Sequence, residues 1–310
     1  MSRAAKVMTA VAVATAALLI LLVTRGHTAR SERVLRQLPE TAQAVLHVDV
    51  PAIADSASAS ILIDTIAGDR GLGEVETVCG FDPRVGLDQV TVWAGGPEGE
   101  PFRSIGLLLR GRTVDAEDLA HCYRAVVEAR GSAVVRDMTV AGPWLRSRDG
   151  LSALAEVDSR TVVTGSTSTV DEFLAVKAGA VPSLIHDPVF SNLWRRSGPG
   201  GAIRGVFVAP PRWQSAFERI GTVGAKASAL TGVEALGFGT RADPPTSVTL
   251  WLDIDDPTIA RRDAALLDVW VSAPPDEVEE PWRTVVSSTR VDVDDDWITL
   301  ISDLEGLRRP

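Results

Sequence analysis

The chain has 310 residues, 45% hydrophobic and 23% charged, with 18 prolines and 26 glycines, a composition outside the disordered and collagen-like classes. Its formal charge is −10, but residues 1–36 carry +5 and leave −15 on the rest; the main domain therefore lacks the positive field of a phosphate-binding surface, and no nucleic acid partner is expected. Two cysteines and four histidines leave little material for a metal-centred enzyme.

Between Lys6 and Arg25 lies an uncharged run, residues 7–24. As a helix it measures about 27 Å, just enough to span a bilayer core. The basic start with Arg3 and Lys6 also fits a secretory signal. The cleavage site is poor, because the small-residue candidate Ala29 has His27 at its minus-three position, while Arg25 and Gly26 interrupt the end of the apolar run. No cysteine lies nearby to carry a lipid. Residues 1–24 therefore read as a signal-anchor transmembrane helix, ahead of a cleaved signal or a buried helix. Arg25, Arg30, Arg33 and Arg36 outnumber Arg3 and Lys6, which argues for a cytoplasmic carboxyl side. Long domains translocate largely regardless of charge, however, and the cysteines fit an oxidising compartment. Export is the favoured reading, with residues 25–37 as an Arg-rich stalk.

Ala44 to Val50 alternates as a strand, with Leu46, Val48 and Val50 on one face and Val45, His47 and Asp49 on the other. A helix follows over about Ser56 to Ala67. Strands near Asp88 to Ala94 and Arg103 to Arg110 flank the turn-rich 95–101 and predict a hairpin. Leu119, Cys122, Tyr123, Val126 and Val127 share one helical face, with Asp115 to cap the start and Gly131 to end it. Short strands are expected near Ala133 to Val140, Trp144 to Arg148, Ser152 to Val157 and Thr161 to Gly165. Thr169 and Glu172 have capping-box spacing ahead of a helix through Phe173 toward Gly179.

From about Pro182 the order begins again. Asp187 and Pro188 open a helix bearing Phe190, Leu193 and Trp194. A strand from Ala202 to Val208, a helix from Arg212 to Leu230, strands near Val233 to Thr240 and Thr246 to Ile254, and a helix from Pro257 to Leu267 follow. A hairpin of Arg290 to Asp294 with Trp297 to Ser302 closes the chain. The fold class is α+β, two similar antiparallel sheet-and-helix halves, 38–181 and a shorter 182–310, with helices on one sheet face in each half.

Cys79 and Cys122 both sit at structural positions, Cys79 at the corner before Gly80 and Cys122 on the apolar helix face. An even count in an exported domain favours a disulfide between them over two separate buried thiols.

Three segments carry a resemblance: Leu38-Pro39-Glu40-Thr41 leading into the first strand, the corner Cys79-Gly80-Phe81-Asp82-Pro83, and Ser183-Leu184-Ile185-His186-Asp187-Pro188-Val189-Phe190 opening the second half. With the amino-terminal anchor, they make the chain resemble a loose group of bacterial membrane-anchored proteins of uncharacterised function with a duplicated exported sheet-and-helix domain. The resemblance implies a single-pass protein of the bacterial inner membrane, held through residues 7–24, with its main domain periplasmic or extracellular. It implies no activity and no cofactor.

The sequence has no GxxxxGK[ST], GxGxxG or GxSxG segment, and Gly221 and Gly224 before Lys226 are wrongly spaced for a phosphate loop. Asp292, Asp294 and Asp296 with Asp303 mimic a calcium loop, but Trp297 stands where that loop needs glycine, so a hairpin with a solvated acidic turn is expected. Asp253, Asp255 and Asp256 precede Pro257 and read as helix caps. His47 and Asp49 share a strand face and are weighed as a base pair, but a polar, wet strand face explains them as well. His27, His121 and His186 lack partners at ligand spacing. Among eight tryptophans, Trp93, Trp194, Trp251 and Trp270 read as core, while Trp144, Trp213, Trp282 and Trp297 are weighed as a ligand or partner surface.

The resulting expectation is a non-enzymatic, membrane-tethered envelope protein that binds another envelope protein or supports an assembly. The alternatives are a periplasmic hydrolase with an unrecognised site, requiring His47 and Asp49 in a pocket, or a glycan or small-ligand receptor, requiring an apolar cleft.

Overall fold

The computed structural model describes residues 32–54, 76–96, 104–139, 142–197, 201–208, 232–241, 247–274, 278, 280 and 282–304. The anchor, the stalk before residue 32, the helices expected over 56–67 and 212–230, and the Gly221–Lys226 segment lie outside them. Among the described residues no helix is long and apolar enough to cross a membrane.

The chain forms β1 (Ala42–Asp49), α1 (Val50–Ala54), α2 (Pro83–Gly86), β2 (Leu87–Gly95) and β3 (Ser104–Gly111). Next come α3 (Ala116–Ala129), β4 (Val134–Thr139), β5 (Gly142–Ser147), β6 (Ala153–Asp158), β7 (Thr161–Gly165) and α4 (Thr167–Lys177). The remainder is α5 (Pro188–Arg196), β8 (Ile203–Val208), β9 (Val233–Arg241), β10 (Ser247–Ile254), α6 (Pro257–Ser272), α7 (Trp282–Ser287), β11 (Arg290–Asp294) and β12 (Trp297–Asp303). The mixed α+β class is therefore as expected. The strands make one 12-stranded sheet, ordered β11-β12-β10-β9-β8-β1-β2-β3-β7-β6-β5-β4. All neighbours are antiparallel, including β1 and β8, where Val45 faces Val206 and His47 faces Arg204.

Helices cover both faces of this sheet, not one. Residues 32–35, α4 and α5 bring Leu35, Phe173, Phe190 and Trp194 onto the face that carries Val45, Trp93, Val163, Val206 and Trp251. On the opposite face, α3 packs Leu119, Tyr123 and Val127 toward Leu154 and Val162, while α6 packs Ala260 and Ala264 toward Leu252 and Ile298. Strands buried on both faces lose clean polar alternation, and the run Ile105-Gly106-Leu107-Leu108-Leu109 shows this. The charged Arg290, Asp292 and Asp294 keep the outer edge strand β11 solvated.

Local chemistry sets the helix ends. Asp115 accepts from Glu117 N at 2.9 Å and Asp118 N at 3.0 Å, Asp118 returns a bond to Asp115 N at 3.0 Å, and Gly131 takes φ +79° past the end of α3. Asp187 and Asp256 cap α5 and α6 ahead of Pro188 and Pro257, and α6 runs on to Ser272, past the expected end at Leu267. α4 begins earlier than the Thr169 capping box predicts: Ser166 is its cap, accepting from Thr169 N at 3.2 Å, and Thr169 is a buried residue of the first turn.

Gly106 sits directly opposite Trp93, and a Cβ there would overlap the indole, which stacks on Phe173 at 5.7 Å. Gly106→Ala is expected to cost about 1–3 kcal/mol through overpacking. Urea denaturation measures it, and pairing the change with Trp93→Leu should recover part of the loss; an unchanged midpoint in the single variant would contradict this packing.

Candidate functional site

The register of the central strands divides their residues between two environments. Val48 faces Val90 and His47 faces Thr91, so Val48 and Val90 lie on one side of the sheet and His47 and Thr91 on the other.

On the Val48 side, a cavity of about 710 Å³ lies between the sheet and α3. Its floor is Val48, Val90, Leu107, Leu109, Leu154 and Thr164, from five adjacent strands. Leu119, Cys122, Tyr123, Val126 and Val127 on one stripe of α3 form the roof, the same stripe that the sequence periodicity identifies. Phe81, Pro83 and Arg84 close one end through the corner at α2, while Ile105, Leu151 and Arg130 stand at the rim. Ile105 and Leu151 are 50% and 74% exposed, so the mouth presents apolar side chains beside Arg130. The Tyr123 hydroxyl shares a 3.0 Å hydrogen bond with Ser152 Oγ, and burial raises its pKa.

Cys79 and Cys122 are at disulfide distance, as expected, 43 residues apart in sequence. They tie the α2 corner to the cavity roof. Asp82 caps α2 and pairs with Arg84, which lowers the pKa of the Asp82 carboxyl.

On the other side, His47 is 5% exposed and shares a 2.9 Å hydrogen bond with Thr91 Oγ1. Trp194 of α5 lies edge-on at 6.3 Å from the imidazole, and Arg204, also 5% exposed, sets its guanidinium 4.6 Å from the same indole. Burial first, and the Arg204 charge second, lower the His47 pKa to about 4. Burial likewise lowers Arg204 to about 10, with Asp49 opposing. The wet-face reading of His47 is corrected: alternation gives the side on which a residue lies, and α5 then seals that side. His47 does not line the cavity, so the structure does not bring it and Asp49 into the pocket that the hydrolase reading requires.

Trp144 and Trp297 are corrected too, being 2% and 8% exposed, while Trp270, expected in the core, is 36% exposed on α6. Trp213 and the side chain of Trp282 lie outside the described residues. His121 and His186 are exposed. Among the described residues no group of three or more His, Cys, Asp or Glu is placed to hold a metal. The acidic run forms the expected hairpin, Asp295 taking φ +54° in its turn. Asp256 is the cap expected of it, whereas Asp253 lies within β10, where burial and then Asp296 and Glu234 raise its pKa to about 6.

The sequence matches no protein-family profile and no curated protein. Solved structures do share its fold. Crystal form I of TP0453 superposes with a TM-score of 0.52, at 12% identity over 88% of this chain and 94% of that one. Crystal form III of the same protein gives 0.51, at 12% identity over 88% and 95%. At that identity the likeness is one of fold alone.

Replacing both cysteines by serine is expected to lower stability by about 4 kcal/mol in the chain-entropy model. Chemical denaturation of the two proteins under oxidising conditions measures this, and equal stabilities would show that no bond constrains the unfolded chain.

The fold binds fewer protons at His47 than the unfolded chain between pH 6.5 and about 4. Its contribution is therefore full above 6.5 and is lost as pH falls toward 4, about 3 kcal/mol in all. Asp253 runs the other way, contributing below 3.8 and losing that contribution as pH rises through about 6. His47→Gln leaves Asp253 in place, so the difference between the two stability–pH curves isolates the imidazole; parallel curves from pH 4 to 7 would rule out this titration.

Proposed function

We propose that the chain is a membrane-tethered, exported binding protein that holds one apolar small molecule between α3 and the sheet. The observation that supports this is the cavity of about 710 Å³ with its apolar floor and roof and the exposed Ile105 and Leu151 at its mouth. A soluble domain gains about 25 cal/mol for each Å² of apolar surface it removes from water. An unfilled space of this size forgoes that gain unless a ligand takes it up. Small-ligand binding thus moves ahead of the protein-binding or structural role expected from sequence, because the cavity is a specific feature and the exposed apolar residues away from it, such as Val135, Val189 and Val293, are dispersed. No catalytic step is assigned to the chain.

In this reading residues 7–24 hold the chain in the bacterial inner membrane and the domain stands in the periplasm or outside the cell. Residues 38–181 and 182–310 are two copies of one unit. Supporting this, the order β1-β2-β3-β7-β6 outward from the centre parallels β8-β9-β10-β12-β11, with α3 and α6 in equivalent places after the third strand.

Tyr123 is the sole tyrosine in the chain and lines the cavity, so 3-fluorotyrosine incorporation gives a single 19F resonance from the site. In full-length protein held in solution by an amphipathic polymer too bulky to enter, titration with hexadecanol is expected to shift that resonance saturably. Leu107→Trp, which fills the floor, should abolish the shift while leaving the thermal melt cooperative. An unmoved resonance in the unmutated protein would refute the proposal.

A further inference from the structure

We propose that the cavity ligand is a single-chain amphiphile with an anionic head, its chain lying across the strands under α3 and its head at Arg130. This rests on the binding role proposed above and adds the chemical class of the ligand.

The shape of the site specifies a chain. The floor crosses β1, β2, β3, β7 and β6 in order. At about 4.8 Å per strand step this is a slot roughly 19 Å long. The roof helix α3 runs along β6, from Ala116 N on the Ser159 carbonyl at 3.0 Å to Tyr123 at Ser152, so the slot passes beneath it crosswise. A long, narrow apolar space of about 710 Å³ suits one extended alkyl chain better than a compact ring system.

The polar inventory specifies the head. Arg84 at one end is committed to Asp82, donating from Nε at 3.1 Å and from Nη2 at 3.0 Å. Tyr123 and Ser152 satisfy each other. Thr164 Oγ1 donates to the Ala153 carbonyl at 2.9 Å, and Ser166 is occupied as the cap of α4. Cys122 is paired with Cys79. Among the described residues the Arg130 side chain alone of these lining groups makes no hydrogen bond or ion pair. Asp149 on the adjoining surface is held by Ser147 Oγ and by Leu151 N at 3.0 Å. A ligand inside the slot thus meets one uncommitted polar group, a guanidinium at the mouth beside exposed Leu151. A guanidinium accepts nothing and donates in a planar fork that matches carboxylate or phosphate oxygens. Placing the head there leaves it in water while the chain enters, which avoids burying a charge.

The test uses the single fluorotyrosine resonance of the full-length protein and compares hexadecanoate, hexadecyl phosphate and hexadecanol. At least one of the two anions is expected to bind about tenfold more tightly than the alcohol, as one charge-assisted contact allows. Arg130→Gln should remove that preference, bringing anion affinity down to that of hexadecanol in the same variant, and Arg130→Lys should restore part of it. Which anion binds more tightly tells whether the head is a carboxylate or a phosphate. Equal affinity for alcohol and anions in the unmutated protein, or an anion preference that survives Arg130→Gln, overturns the assignment of the head while leaving the binding role intact. Failure of all three probes to shift the resonance removes the binding role itself.

Discussion

The antiparallel pairing of β1 with β8 is the contact on which the rest of the molecule depends. It joins Ala44–Val48 to Ile203–Phe207 and makes one sheet of what are otherwise two sheet segments with exposed edges. The polar groups carried by the pair, His47 and Arg204, are brought face to face and out of water. Such burial costs free energy unless partners are supplied. Thr91 supplies one through its hydroxyl, and the Trp194 ring supplies another beneath the guanidinium. α5 is therefore packed onto the junction by its own largest apolar side chain, and one face of the sheet centre is closed.

Closing that face has a consequence for the other. With residues 32–35, α4 and α5 filling the His47 side, the opposite side carries α1 against β1 and β2 and α3 against β6 and β7, with α3 held to the α2 corner by Cys79 and Cys122. A helix pinned at a corner, with valines and a leucine facing a floor of leucines and valines, leaves a slot where larger side chains would close it. The cavity is thus a product of side-chain volumes on α3 and β3, and the charge at its mouth comes from the residue that ends the helix. Arg130 at a helix C-terminus is also favoured by the helix dipole, which gives one side chain two roles, finishing the helix and facing the ligand.

Much of this arrangement is legible in the amino-acid order. The alternation of Ala44 to Val50, the Cys122 stripe of α3, the Asp187–Pro188 start of α5 and the acidic hairpin at 290–303 all follow from period and capping chemistry, because these are local properties. The coverage of both sheet faces is not local, and His47 shows the difference. Its place on the side opposite Leu46 is readable, whereas the arrival of Trp194, well over a hundred residues later, is not. Ser166 displaces Thr169 as the cap of α4 because the capping pattern recurs within a few hydroxyl residues, and the end of β7 decides among them. The cavity is the least legible feature. Its apolar lining residues read as ordinary core, and only their combined volume across five strands tells a filled core from an open one.

Intermolecular nuclear Overhauser contacts between a 13C-labelled hexadecanoate and the methyl groups of the full-length protein test the central claim most directly. Contacts to Leu107, Leu109 and Val126, on the floor and roof of the slot, are expected. Contacts confined to outer-surface methyl groups such as those of Val269 on α6 and Val293 on β11 would contradict it.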